Sequence, residues 1–345
     1  MFLIKRPLMK YIVCEKPGLF KLKEKDKPQK KAGHAILEIK KIGICGTDLH
    51  AYTGNQAFFT YPRILGHELA AVVIEIDSNS QNIKVGDKVI VMPYLSCGKC
   101  IACKNRKTNC CTDLKVLGIH TDGGMQEQIS VPINLLIPSN TLSYAEMAIV
   151  EPLAIGAHAM RRAQVQANEF MVVMGCGPIG IGIMKFAKIA GAKVIAMDID
   201  SGRLSYAKDK IGIDHIVLAD KTAMDNIAEI TNGEMATSVF DATGNKEALE
   251  KGIDYMANGG RYILVGLSKG KLEFEHPALH AKETTILCSR NATLEDFEYV
   301  IDILNKGKFP VESYVTHHVN FTEMIPQFDS WLDPSNGVIK AMVNF

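Results

Sequence analysis

Residues 169–180 read Glu-Phe-Met-Val-Val-Met-Gly-Cys-Gly-Pro-Ile-Gly, and the fold turns on how they are read. Glu169–Met174 is an apolar run of strand length that stops at glycine. A G-x-G-x-x-G string follows, with Gly175, Gly177 and Gly180 as its glycines and Pro178 and Ile179 between them. It opens a segment, Pro178–Ala190, whose pattern predicts a helix. Glycine triplets recur by chance, so the context carries the argument. A further apolar strand is expected at Lys193–Met197, with Asp198 just behind it. In that setting Gly175 permits a tight turn, Gly177 lets a pyrophosphate approach the backbone, and Gly180 allows close helix–strand packing. Free N–H groups and the positive dipole end of the helix favour phosphate. Asp198 would accept hydrogen bonds from adenosine ribose hydroxyls and repel a 2′-phosphate, which points to NAD over NADP. Arg203 lies where it could reach a phosphate, so NADP stays open at this stage.

Outward from this string the same rhythm continues. Strands are expected at His215–Leu218, Ser238–Phe240, Arg261–Val265 and Thr284–Cys288, with helix-length segments between them. Leu294–Lys306 has the apolar spacing of an amphipathic helix. Such alternation implies βαβ units and a doubly wound parallel sheet. Before about residue 150 the apolar runs are short: Ala35–Lys41, Ala70–Ile76, Lys88–Met92 and Gln128–Val131, separated by turn residues. A mostly β domain with long loops is expected there, and the β-like pieces after 307 are expected to pack back on it. The charged stretch Lys21–Lys31 reads as a solvated turn. The fold class is therefore α/β, a mostly β domain joined to a parallel doubly wound one.

Composition narrows the function. The 345 residues suit two domains. The formal charge of +1 provides no bulk field for nucleic acid or an anionic membrane. No apolar run approaches the ~18–20 residues of a membrane span. The opening Met-Phe-Leu-Ile-Lys-Arg-Pro does not read as a secretion signal. Of the nine cysteines, Cys97, Cys100, Cys103, Cys110 and Cys111 fall together, which reads as a metal knot in a reducing cytoplasm rather than as disulfides.

Two metal constellations emerge. Cys97-x2-Cys100-x2-Cys103-x7-Cys111 can wrap a tetrahedral zinc with no open position, a structural site in a lobe at 93–115. Cys110 is left as the spare thiol, although a register that uses it is conceivable. The second set is dispersed: Cys45 in Gly43–His50, His67 and Glu68 after Gly66, and Glu151 before Pro152. One thiolate, one imidazole and two carboxylates suit a zinc that keeps an exchangeable position.

Together these strings resemble the medium-chain, zinc-dependent alcohol and polyol dehydrogenases. They are Gly-Ile-Cys-Gly-Thr-Asp-Leu-His at 43–50, Leu-Gly-His-Glu at 65–68, the cysteine lobe, Glu-Pro-Leu-Ala at 151–154 and Gly-Cys-Gly-Pro-Ile-Gly at 175–180. The resemblance covers the chain from Met9 onward. It implies a GroES-like catalytic domain from residues 1–153 and 290–345, a Rossmann domain at 154–289, two zinc ions per subunit, NAD, and a homodimer or homotetramer. It also implies that Cys45 and His67 are constant ligands of the catalytic zinc. Glu151 stands where alcohol dehydrogenases carry a second thiolate, and Glu68 alternates with water or substrate. Thr47 and His50 match the family's proton-relay positions.

Within that family, Gly54-Asn55-Gln56, Phe58-Phe59, Tyr61-Pro62-Arg63, Thr108–Cys111, Lys282–Thr285 and Ser289–Thr293 resemble hexonate and polyol dehydrogenases. A sugar acid such as L-galactonate or L-gulonate, oxidised at C5, is the expected substrate. Arg290 is the candidate to grip its carboxylate, since a guanidinium fork matches a carboxylate. An NAD phosphate contact or a surface ion pair is the other reading of Arg290. Asn291 could add a donor, and Tyr52, Gln56 and Phe58 are further pocket candidates. Polyol oxidation and L-threonine 3-dehydrogenation share the same metal set and remain alternatives. A non-catalytic NAD- and zinc-binding regulator is disfavoured because every expected catalytic position is filled. The cysteine lobe is locally basic through Lys99, Lys104, Arg106 and Lys107, but the near-neutral total disfavours nucleic acid as its partner.

Overall fold

The computed structural model describes residues 7–56 and 59–345, and the pocket candidate Phe58 lies outside them. The chain forms two compact units. One comprises the described part of Met1–Glu151 with Ile301–Lys306 and Tyr314–Phe345; the other comprises Pro152–Val300 with Gly307–Ser313.

The second unit is built on six strands: β1 Phe170–Met174, β2 Lys193–Asp198, β3 His215–Leu218, β4 Ala236–Asp241, β5 Met256–Leu264 and β6 Thr285–Cys288. They pair in parallel in the order β3-β2-β1-β4-β5-β6, so the order reverses between β1 and β4. In such a sheet ligands bind beyond the carboxyl ends of the strands at that reversal. Met171, Val172 and Val173 have no exposed surface, as expected for a strand covered on both faces. Each such apolar side chain stabilises the fold by about 1.5–3 kcal/mol on burial. The strand expected at Arg261–Val265 is in fact longer and starts at Met256, because Asn258-Gly259-Gly260 hid its first half from a propensity reading. Helix Leu294–Asn305 is tied to helix Val150–Ala163 through Asp296, which accepts from His158, Arg161 and Thr293. Burial would raise the Asp296 carboxyl, but these hydrogen bonds hold it well below the usual carboxylate range.

The first unit is organised by strand His34–Ile44. On one side it pairs antiparallel with Lys340–Asn344, which pairs with Val315–Asn320; on the other it pairs with Glu68–Glu75, which leads to Lys88–Val91 and Leu136–Pro138. Gln128–Pro132 also pairs with its first half. Two registers matter for the site: Ala341 lies opposite Ile44, and Gly43 lies opposite Glu68.

The stretch Lys21–Lys31 departs from expectation. Its first six residues belong to strand Leu19–Asp26, which pairs antiparallel with Leu8–Lys16. Phe20 anchors the strand in the core, while backbone pairing, a Lys23–Glu15 ion pair and Lys25 stacked 4.7 Å over Tyr11 hold its exposed, charged remainder.

Candidate active site

Among the described residues, two groups of potential metal ligands come together. In the first, the sulfurs of Cys97, Cys100, Cys103 and Cys111 lie within 4.8 Å of one another. Strands Tyr94–Leu95 and Lys115–Val116 close the segment into a loop. Backbone N–H groups point at the sulfurs: Cys97 N to Cys111 Sγ at 3.2 Å, Cys100 N to Cys97 Sγ at 3.4 Å, Asp113 N to Cys111 Sγ at 3.3 Å. N–H groups of Cys103 and Thr112 pull the Cys100 thiol down, while burial pushes that of its neighbour Cys103 up. Cys110 is exposed and stands outside the group. Four converging sulfurs with donors behind them fit a closed tetrahedral zinc.

In the second group, ligand atoms of Cys45, His67 and Glu68 lie within 4.8 Å of one another. Cys45 sits at the N-cap of helix Gly46–Tyr52, and His67-Glu68 leads into strand Glu68–Glu75. Asp48 binds the two loops together. Its buried carboxylate accepts from Cys45 N at 2.9 Å and Gly66 N at 3.3 Å, and stands 3.8 Å from His67 Nδ1.

Glu151, in the first turn of helix Val150–Ala163, stands outside this tight group but faces it electrostatically. Tyr94 of the cysteine lobe donates its hydroxyl to Glu151 Oε1 at 2.5 Å. Burial raises the Glu151 carboxyl above its usual range, and Glu68 adds to that. On the other flank Lys340, 1% exposed, donates to Glu68 Oε1 at 2.6 Å, Glu68 Oε2 at 2.8 Å and Ile44 O at 3.0 Å.

These residues fit a cation. His67 Nδ1 and Glu151 Oε2 are buried with no hydrogen-bond partner, which is costly unless something else satisfies the site. Burial pushes the His67 imidazole down, yet Asp48, Cys45 and Glu151 outweigh that and hold it well above its usual value. A thiolate, an imidazole and two carboxylates in a buried setting are the donor set of a zinc with an exchangeable position.

The second unit carries the glycine turn expected of a dinucleotide site. Gly175 adopts φ +95°, which favours glycine. A Cβ on Gly180 would fall 1.8 Å from Gly175 O, so the helix packs against the turn only with glycine there. Gly177 is the N-cap of helix Pro178–Ile189. Asp198 ends β2 and accepts from Cys176 N at 2.7 Å and Asp200 N at 3.0 Å. It thereby locks the turn while retaining lone pairs for a ribose. Arg203 Nη1 reaches 3.8 Å from the position of a Gly177 Cβ, beside the phosphate turn.

The remaining candidates are placed unevenly. Thr47 and His50 share helix Gly46–Tyr52, the first half-buried and the second exposed. Tyr52 is committed to the core: its ring stacks on Phe20 at 4.8 Å and meets Phe328 at 4.9 Å, and its hydroxyl donates to Gly18 O. That placement makes it a packing residue rather than a pocket wall. Gln56 is half-buried, Arg290 exposed, and Asn291 adopts φ +50°. Tyr94 and Lys340 were missed from sequence, since neither lies in a ligand-like string.

Comparisons with known proteins identify the family. The family model for the alcohol dehydrogenase GroES-like domain matches residues 31–141, and that for zinc-binding dehydrogenase matches 178–306. The chain is 37% identical to an L-galactonate-5-dehydrogenase of Escherichia coli K12 over 98% of its own length and 99% of the relative's. It is 31% identical to a sorbitol dehydrogenase of Bacillus subtilis, covering 97% of both chains. A crystal structure described as a short chain alcohol dehydrogenase of Escherichia coli CFT073, complexed with NADH, superposes with a TM-score of 0.91 at 30% identity, covering 98% of this chain and 99% of that one.

Proposed function

Because the chain belongs to the zinc-dependent medium-chain alcohol dehydrogenases, we propose that it oxidises the C5 hydroxyl of a hexonate such as L-galactonate or L-gulonate, with NAD as oxidant. The observation that carries the substrate class is the 37% identity, end to end, with a sugar-acid dehydrogenase.

Zinc when bound supplies Lewis-acid polarisation of the substrate oxygen, and NAD supplies the hydride acceptor. Cys45, His67 and Glu68 hold the metal, with Glu151 beside them, while Cys97, Cys100, Cys103 and Cys111 hold a second, structural ion. Thr47 takes the hydroxyl proton. His50, one helical turn further and exposed, passes it to water. Gly175, Gly177 and Gly180, with Pro178 and Ile179, cradle the pyrophosphate, Asp198 selects NAD, and Arg203 guards the phosphate turn. Arg290 and Asn291 orient the carboxylate of the substrate, and Gln56 contributes a polar wall.

Two further readings accompany this one. The edge strand β6 leaves its backbone unpaired on one side and exposes Ile286, which suits pairing with a second copy in a homodimer or homotetramer. All nine cysteines are free, as suits a cytoplasmic chain. Among the described residues no helix is long and apolar enough to cross a membrane.

The test is NADH formation by zinc-loaded protein on L-galactonate, L-gulonate, sorbitol, galactitol and L-threonine. A hexonate is expected to win in kcat/KM by about tenfold or more. Preference for a polyol or for threonine would discard the sugar-acid reading while keeping the dehydrogenase.

A further inference from the structure

The chemistry of the catalytic centre has no assigned part for Lys340, yet this is among the largest side chains in the molecule with essentially no exposed surface. Its ammonium spends all three donors at one place, on both oxygens of Glu68 and on the carbonyl of Ile44. Its partner Glu68 has no exposed surface either.

The strand register explains how the pair meets. Lys340 begins a strand on one side of His34–Ile44, and Glu68 begins a strand on the other. The residue between them is Gly43, opposite Glu68. A Cβ at Gly43 would fall 1.9 Å from Glu68 Oε2. The carboxylate therefore lies over the one position in the intervening strand that has no side chain. An oxygen of the same carboxylate is within 4.8 Å of the Cys45 and His67 ligand atoms. One carboxylate thus faces an ammonium and a metal position at once.

Taking Cys45 and His67 as metal ligands, the reading on which this rests, we infer that Lys340 is a positioning residue that competes with the metal for Glu68. A buried carboxylate with no cation but the metal would bind it tightly and close the exchangeable position. A buried ammonium offering two short hydrogen bonds gives Glu68 a second resting state of comparable electrostatic quality. Glu68 stays a carboxylate in both states and no proton moves. Lys340 would thereby keep a metal position open for a substrate oxygen. Glu151 is fastened differently, by a neutral hydroxyl from Tyr94.

The experiment uses the full chain with zinc in the cysteine lobe and cobalt in the second centre. Metal release into a chelator and the visible cobalt spectrum are followed for the wild type, Lys340→Met, Lys340→Arg, Glu68→Gln and the double variant Glu68→Gln/Lys340→Met. Lys340→Met is expected to slow cobalt release about tenfold or more and to make the spectrum insensitive to added substrate. Lys340→Arg should restore wild-type release, because it keeps the charge. In the Glu68→Gln background Lys340→Met should change nothing further. Wild-type release and spectrum in Lys340→Met, or an equal change with and without Glu68, would overturn the role of Lys340. If Lys340→Met does not fold, Lys340→Gln is held to the same criteria. Cobalt that Cys45→Ser retains, or a wild type that binds none outside the lobe, would instead overturn the metal reading itself, and the proposal with it.

Discussion

The four thiols of the cysteine lobe come from residues 97–111, and the donors aimed at their sulfurs are backbone N–H groups from 97 to 113. Cys45, His67, Glu68 and Glu151 are drawn from three separate stretches, and the groups around them are buried side chains: Asp48, Tyr94 and Lys340. The first cluster is satisfied locally and is closed. The second leaves His67 Nδ1 and Glu151 Oε2 unpartnered. A site meant to hold shape can be built from one loop. A site meant to exchange a ligand needs competing partners, and those come from distant chain. The two are joined at Tyr94, which stands on a lobe strand and holds a carboxylate of the second cluster.

Breaking each cluster should therefore have different consequences. The largest effect is expected from Cys45→Ser: kcat falls about a thousandfold or more, while metal analysis drops from two ions per chain to one and the Tm changes little. Equal loss of both ions would merge the clusters into one unit. Thr47→Val should lower kcat about a hundredfold with both ions and NAD binding retained, because it removes a proton acceptor and no ligand. Normal turnover would take Thr47 out of the relay. Tyr94→Phe strands Glu151 Oε1 and sharpens the link between the clusters. Release of the exchangeable metal should quicken about tenfold, with the lobe's metal unaffected. Cys100→Ser should have the smallest effect on the turnover of protein that stays folded, about a fewfold, yet lower the Tm by about 10 °C through loss of the lobe's metal. A Cys100→Ser protein with unchanged Tm would remove the structural role.

What was legible in the sequence follows the same division. The Rossmann strands, the turn at Gly175–Gly180 and the cysteine lobe were readable because each is encoded by neighbours within one short segment. Lys340 was invisible because its partner is 272 residues away and nothing around it resembles a ligand string. Tyr94 was hidden in the same way. Tyr52 sat in a string that suggested the pocket, but aromatic stacking with Phe20 and Phe328 claimed its ring. The strand at Leu19–Asp26 escaped notice because its lysines carry no apolar alternation, and its pairing is a matter of backbone.

The position of Lys340 on strand Lys340–Asn344 also sets a timetable for synthesis. All six strands of the Rossmann sheet lie between Phe170 and Cys288, so that sheet can close while the ribosome is still working. The first unit cannot. Its ligands emerge early, but the end of strand His34–Ile44, at Lys41–Ile44, waits for its partner, and Glu68 waits without its counter-charge, until residue 340 has been made. A nascent chain that captures metal before then would do so with Glu68 unopposed by Lys340.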